Sequence, residues 1–265
     1  NWINKIYIVT DNQIPKWLDT NSLKIEVIFH ENFIPKENLP LFNSEAIETF
    51  LADIPNLSEH FLYGCDDMFF GKYINKYFFF NPDGKPIVRL KHQVSKKHIK
   101  TSMYTRSILK MQKIIKNDFK NHYPYAPHHN IDAYTKSSFL ECLKDYKTGF
   151  EITRRSKFRN EGDLQRVLIT YYMLAKKYAV LKYYSRIDKF LSPITRIKNS
   201  ISKKFNADSI VISMKSKNPY SKLKTYKPAL FCTNDGEGIS DWDRARTKIF
   251  LDENFPQKSS FELQD

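Results

Sequence analysis

The run Leu62-Tyr63-Gly64-Cys65-Asp66-Asp67-Met68-Phe69-Phe70 places two adjacent carboxylates inside an otherwise apolar and aromatic stretch. Such a run reads as a buried strand, and charge inside one is costly unless something offsets it. A divalent cation with phosphate ligands would offset it, because Mg²⁺ favours one or two carboxylates plus substrate phosphates. Strand side chains alternate faces, so both aspartates can converge on one cleft only where the strand ends. Gly64 permits a bend there. A plain Asp-Asp turn between two strands is the competing reading, and the residues alone leave both open.

The pattern on either side predicts an α/β fold. Lys5-Ile6-Tyr7-Ile8-Val9 is a β-branched strand ending at Thr10-Asp11, and Leu23 to Phe29 is the next. Asn43-Ser44-Glu45 opens a helix whose apolar face is Ile47, Phe50, Leu51 and Ile54, stopped by Pro55. Phe61 to Tyr63 returns as a strand and delivers the aspartates. This order predicts a Rossmann-like or glycosyltransferase-like mixed sheet flanked by helices, with a cleft at the carboxyl ends of its strands.

Further along, Asn81-Pro82-Asp83-Gly84 is a turn. Tyr104 to Phe119 is helical, Pro124 and Pro127 bracket a loop leading to His128-His129, and Phe139 to Tyr146 is a short helix. Asn160 is a candidate N-cap for a long amphipathic helix running from Leu164 to Tyr178. Ala229-Leu230-Phe231-Cys232 ends at Thr233-Asn234-Asp235-Gly236. Ser240 with Asp243 forms a capping box for a last helix through Asn254. The whole of 1–265 reads as one α/β domain.

The formal charge is +14 with a pI near 9.4, so the chain seeks anions. The excess crowds residues 176–227, including Lys203-Lys204, Lys215, Lys217, Lys222 and Lys224, and this stretch is expected to be a basic, helical or irregular insertion. A merely solvated face is the alternative. The three cysteines, Cys65, Cys142 and Cys232, are odd in number and far apart, which argues against a disulfide framework and against a CxxC zinc site. A reducing cytoplasm is the expected compartment. No run of eighteen uncharged apolar residues is present, so no membrane span is expected. With seven glycines the chain has no GxGxxG loop.

Four polar clusters close apolar elements: Thr10-Asp11, Asp66-Asp67, His128-His129 and Asn234-Asp235. Arg154-Arg155 with Arg159 form a fifth. Carboxylates could hold a cation, guanidinium matches phosphate oxygens, and an imidazole can take a proton from an attacking hydroxyl. The duller alternatives are a loop histidine pair, a surface ion-pair arginine and an ordinary Asn-Asp-Gly turn. A His/Asp zinc site lacks the usual close spacing.

These motifs carry a resemblance. Lys5-Ile6-Tyr7-Ile8-Val9-Thr10-Asp11 with Ile14-Pro15-Lys16-Trp17-Leu18, then Leu39-Pro40-Leu41-Phe42-Asn43-Ser44-Glu45-Ala46-Ile47-Glu48, then Leu57 to Tyr63 running into Asp66-Asp67-Met68, resemble the second conserved region of the Stealth family of capsular polysaccharide phosphotransferases. That family also includes the lysosomal-enzyme N-acetylglucosamine-1-phosphotransferase. Ala126-Pro127-His128-His129 followed by Lys157-Phe158-Arg159-Asn160 is similar to the third region, and Phe231-Cys232-Thr233-Asn234-Asp235 to the fourth. The family's first region, a strand with a DVVYTWVDG-like sequence, is missing. With no initiator Met at Asn1, a truncated or processed chain is expected.

The resemblance implies transfer of a hexose 1-phosphate or N-acetylhexosamine 1-phosphate from a UDP-sugar donor to a hydroxyl of a capsular polysaccharide or oligosaccharide, with release of UMP. It implies Mg²⁺ or Mn²⁺ at Asp66 and Asp67, and Asp67, His128, Arg159 and Asp235 as catalytic groups. Asp11, Asn43, Asp66, His129 and Asn234 would contact substrate. Competing readings are a metal-dependent glycosyltransferase attacking at the sugar carbon and a basic nucleic-acid-binding module, for which Tyr183-Tyr184-Ser185-Arg186 is the only hint. No nucleic-acid partner is expected. The basic stretch could also touch the acidic cytoplasmic face of a membrane.

Overall fold

The structure is a computed structural model that describes residues 2–93, 102–183, 208–216, 219–234 and 238–263. It is a mixed α/β fold, as the alternation of elements predicts. The expected first strands form: β1 (Ile6–Thr10) and β2 (Ile25–Phe29) pair in parallel. Strands β3 (His60–Tyr63) and β4 (Met68–Phe70) flank the aspartate pair.

Among the described residues the strands divide into four short ladders rather than one continuous sheet. β3 pairs antiparallel with β7 (Asp132–Thr135). β5 (Ile87–Gln93) lies between antiparallel β6 (Tyr125–Pro127) and parallel β8 (Val180–Tyr183). β10 (Leu230–Asn234) lies between antiparallel β4 and parallel β9 (Ser209–Ser213). The segment between Pro124 and Pro127, expected as a loop, is therefore an edge strand, a place where proline costs the ladder no needed donor.

The stretch 176–227, expected as helical or irregular, contains β8 and β9 besides the short helix α6 (Ser221–Tyr226). The β-branched run Ile210-Val211-Ile212 inside the basic region explains β9. The lysines alone conceal it. Lys203, Lys204, Lys217 and the Tyr184–Arg186 hint lie outside the described residues.

Helix α1 (Ser44–Glu48) starts where expected, with Asn43 Oδ1 accepting the Glu45 N–H at 3.1 Å. It ends early. Thr49 and Phe50 donate three residues back, to Ala46 and Ile47, and a separate 3-10 turn covers Leu51–Asp53. Thr49 Oγ1 also bonds back to Ala46 O at 2.7 Å, while Arg154 takes the Thr49 carbonyl at 2.7 Å. These bonds compete with helix continuation.

Helix α2 (Met103–Phe119) buries Ile108, Met111 and Ile115 and is capped by Ser102. It is followed by α3 (Lys136–Asp145) and α4 (Lys147–Arg155); the latter has no clear sequence signal. Helix α5 (Arg166–Ala175) is buried from Leu168 through Leu174, so it is central rather than amphipathic, and it packs against α2 and α3. It begins later than expected. Asn160 does not cap it. Its Oδ1 instead accepts the Gly162 N–H at 2.7 Å. The final helix α7 (Asp241–Asn254) has the Ser240/Asp243 capping box as expected. Among the described residues no helix is long and apolar enough to cross a membrane.

The reason for the late start of α5 is Asp163. Fully buried, it accepts from Asn43 Nδ2 at 2.8 Å, Ser156 Oγ at 2.8 Å and the Asn160 N–H at 3.0 Å. The carboxylate gathers 156–163 into a loop against α1. Asn43, expected to contact substrate, is fully buried here and also donates to the carbonyls of Ser156 and Phe158. It is a hinge pin of the fold, because every polar atom of its side chain is directed inward. Asn43→Ala is expected to destabilise the protein by about 2–4 kcal/mol, combining loss of a cap with loss of a buried bond to a charged group. Urea denaturation checks this, and a loss under about 1 kcal/mol would contradict the role.

Candidate functional site

The aspartate pair occupies the turn between β3 and β4. The pair is a turn, and it lies at the carboxyl end of a strand. Gly64 is required for a close approach, since a Cβ there would stand 2.9 Å from Ile131 Cγ1. Pairing of Cys232 with Met68 sets β10 alongside, and the Thr233 N–H donates to Asp67 O at 2.9 Å. Asp66 is exposed and Asp67 half-buried.

The Cys232 thiol donates to Asp67 Oδ2 at 3.0 Å, while Asp67 Oδ1 is buried and has no hydrogen-bond partner among the described residues. Burial, followed by the bond to Asp67, pushes the Cys232 thiol far above its ordinary range. His129, exposed, brings a ring nitrogen to the same place. One donor atom from each of Asp67, His129 and Cys232 lies within 4.8 Å of the others. Asp66 is not in that group. The orphaned oxygen of Asp67 fits a cation. The thiol and imidazole beside it do not match the all-oxygen set that Mg²⁺ prefers.

The two histidines divide. His128 is buried, with Nε2 on Asp132 Oδ1 at 2.9 Å and Nδ1 on Ser209 Oγ at 3.0 Å. Both ring nitrogens are thus engaged inside the protein, tying the end of β6 to β7 and β9. Asp132 in turn meets Arg166 Nη1 at 2.6 Å. Burial opposes ionisation of Asp132, but the Arg166 guanidinium and His128 outweigh it and hold the carboxyl below its usual range. Arg166 reaches Glu48 at 3.4 Å and lies over the ring of Tyr63 at 4.7 Å. Tyr63 donates to Glu48 at 3.0 Å and contacts Cys65 Sγ at 3.5 Å. This network connects α1 and α5 to the aspartate turn.

Arg159 is exposed at the other end of α1, where it donates to Ser44 Oγ at 2.6 Å. Arg154 is a structural member of its cluster: it pairs with Asp53 at 2.9 Å and lies 4.1 Å from the ring of Phe50. Asn234 is exposed at the end of β10. Asp235 lies outside the described residues. Asp11 is exposed at the end of β1, with His30 Nδ1 at 3.9 Å. The structure therefore brings together Asp67 and His129, joins His128 to them through the chain, and leaves Asp11 on a separate ladder.

Glu45, Asp132, Arg166, Ser209 and Cys232 were not assigned site roles from the sequence. The four-residue spacing of His128 and Asp132 is a signal that could have found one pair. Cys232 stands inside the Phe231-Cys232-Thr233-Asn234-Asp235 motif, but nothing in that motif shows its thiol meeting Asp67. Glu45 reads as a helix-start residue, yet burial pushes its carboxyl up to about 7, opposed by Arg159 and by Gln165, which donates at 2.7 Å, and reinforced by Asp163 and Glu48. Its Oε2 is buried without a hydrogen-bond partner among the described residues. A near-neutral acid beside an exposed arginine is a functional-site feature.

Because this folded pKa is raised, the folded state holds the proton more tightly than the unfolded chain, and stability is lost as pH rises from about 4 to about 7. Glu45→Gln is expected to match the parent near pH 4 and to become more stable than it as pH approaches 7, with no further gain above. Urea midpoints across that range check this; a constant difference at all pH values would contradict it.

Residues 1–88 match Stealth protein CR2, conserved region 2. The chain is 27% identical over 292 residues to the capsular polysaccharide phosphotransferase WcwK of Streptococcus pneumoniae, covering 98% of this chain and 81% of that protein. It is 27% identical to the exopolysaccharide phosphotransferase cps2G of Lactiplantibacillus plantarum, covering 98% and 80%. It is 31% identical to the capsular polysaccharide phosphotransferase SacB of Neisseria meningitidis serogroup A, covering 99% of this chain and 47% of that protein. The second-region motif read from the sequence thus falls on the turn, strand and helix that build this site, and over residues 1–88 the chain is similar to the second conserved region of the Stealth proteins.

Proposed function

We propose that this protein is a phosphotransferase that moves a hexose 1-phosphate, of the N-acetylhexosamine or simple hexose class, from a UDP-sugar to a sugar hydroxyl of a capsular or exopolysaccharide. The names of its relatives support the coarser reading, polysaccharide phosphotransferase. The observation that carries the chemistry is the half-buried Asp67 at a strand end, one oxygen without a partner among the described residues, with His129 beside it and His128 anchored behind.

In this reading the acceptor oxygen attacks the phosphorus bound to the donor sugar. The bond from that phosphorus to the bridging oxygen breaks, UMP leaves with that oxygen, and a phosphodiester remains. The acceptor proton passes to an imidazole of the His128-His129 pair. Arg159 neutralises donor phosphate, and Asn234 with Asp235 would complete the site. Catalysis of this kind is mostly positioning and charge neutralisation. Asp66 and Asp67 would hold Mg²⁺ or Mn²⁺ in this reading, and such an ion would supply neutralisation of diphosphate charge.

The exposed Lys222, Lys224 and Lys227 around α6 supply a basic surface for a polyanionic acceptor or for an acidic membrane face. Three free thiols suit a cytoplasmic location.

Incubation with a panel of UDP-sugars and a divalent cation separates the two enzyme readings. UMP release with phosphorus in the product backbone is expected; UDP release would mean attack at the sugar carbon. Asp67→Asn is expected to lower turnover by about 100-fold or more with an unchanged circular dichroism spectrum. Replacing Lys222, Lys224 and Lys227 together by Gln is expected to slow polymer acceptors more than short ones, and equal losses on both would remove this surface from the proposal.

A further inference from the structure

We infer that the stacked rings of Phe42 and Phe158 form the platform on which the uracil base of the nucleotide donor lies, with Arg159 beside them for its phosphates. This rests on the transferase reading above and adds a base subsite to it. The two rings have centroids 5.6 Å apart and planes 15° from parallel. They are 63% and 70% exposed. An exposed apolar pair of this size is the informative kind of exposure, because leaving it in water costs free energy that a ligand would recover. The rings are in direct contact, so a base adds to an outer face rather than entering between them.

The backbone beneath the rings is fixed from inside the protein. The Phe42 N–H donates to Lys157 O at 3.1 Å. The fully buried Asn43 donates to the carbonyls of Ser156 and Phe158 at 3.2 and 3.3 Å and to Asp163 at 2.8 Å. One residue further along, Arg159 Nη2 donates to Ser44 Oγ at 2.6 Å. The two segments thus make adjoining rungs, a ring pair at 42 and 158 and then a cation at 44 and 159. Such preorganisation lowers the ordering cost of binding.

A flat apolar platform followed by a guanidinium fork matches the two ends of a nucleotide, a base with a π-face and an anion a short ribose away. Burial pushes Glu45, the acid that faces Arg159, up to about 7, so it offsets the cation less than an ordinary carboxylate would. A saccharide ring is the other ligand that lies on aromatic faces, but its several hydroxyls need polar partners. The polar side chains at this spot are committed elsewhere: Asn43 points inward, Ser44 Oγ accepts from Arg159, and Lys157 Nζ donates to Asn38 O at 2.7 Å. A base asks less of them.

Calorimetric titration of the full chain with UMP and with ribose 5-phosphate isolates the base. UMP is expected to bind more tightly by roughly 5- to 150-fold, the range for stacking one base on an aromatic side chain. Phe42→Ala and Phe158→Ala together should bring that ratio close to one, with the fold followed by circular dichroism. Phe158→Tyr, which keeps a ring, should preserve it. Arg159→Ala should weaken both ligands by a similar factor and leave the ratio in place. A ratio near one in the parent chain, a ratio unmoved by the paired alanines, its collapse in Phe158→Tyr, or no effect of Arg159→Ala on either ligand would overturn the inference. So would a raised KM for a short saccharide acceptor with the ratio intact, which would make the platform a sugar site. UMP released in turnover with the ratio unmoved by the alanines leaves the transfer reading standing without this subsite. UDP released with the ratio collapsing as expected removes that reading and keeps the base platform.

Discussion

Arg166 carries a charge into the interior, and residues from three other elements converge to offset it. Glu48 comes from α1, Asp132 and Tyr134 from β7, and Tyr63 from β3. Burial alone would lower the guanidinium's pKa, but Tyr134, Glu48, Asp132 and Tyr63 hold it well above its ordinary value. Breaking a buried pair leaves an uncompensated charge, which costs about 3–5 kcal/mol. The relative placement of these elements is therefore tightly specified. Asp132 then fixes His128, His128 fixes the loop presenting His129, and Tyr63 leads the chain into the aspartate turn.

Around this node the hydrophobic core does what cores do. Phe61, Tyr134 and Phe139 pack with ring centroids 5.6–5.9 Å apart, Phe61 stacked on Tyr134 and Phe139 tilted or edge-on to both, and Phe50, Leu168 and Tyr172 close the same cluster. Such packing gives a rigid backing. The polar groups that matter for chemistry sit where that backing stops, at the ends of β3, β6 and β10. The β3–β7 ladder and the β4–β10–β9 ladder are short, but the turn at Asp66-Asp67 belongs to both, because the chain leaves one at Tyr63 and enters the other at Met68. That single crossing brings a carboxylate from one ladder against a thiol of the other.

Much of this was legible in the sequence. Periodicity located β1, β2, β3, α2, α3, α7 and the apolar part of β10, because each has a local signal: β-branched runs, an i, i+3, i+7 face, or a capping box. Where reading failed, a distant partner had decided the local conformation. The expected helix from Ser44 to Ile54 breaks at Thr49 because Arg154, more than a hundred residues away, claims its carbonyl. The helix expected from Asn160 starts at Arg166 because Asp163 is held by Asn43. Strand β9 hides in a lysine-rich stretch, since charge composition masks a short β-branched run.

By itself the sequence determined the mixed α/β class, the position of the acidic turn and the identities of most groups near it. Those are carried by residue type and short spacing, which a chain displays before it folds. Only the tertiary structure decided which of those groups meet. It turned Asn43 inward, engaged both nitrogens of His128, left His129 free to face Asp67, and placed Cys232 against the acid pair. The distance between Asp67 and Cys232 is set by strand pairing across 165 residues of chain, and no local pattern encodes a contact at that separation.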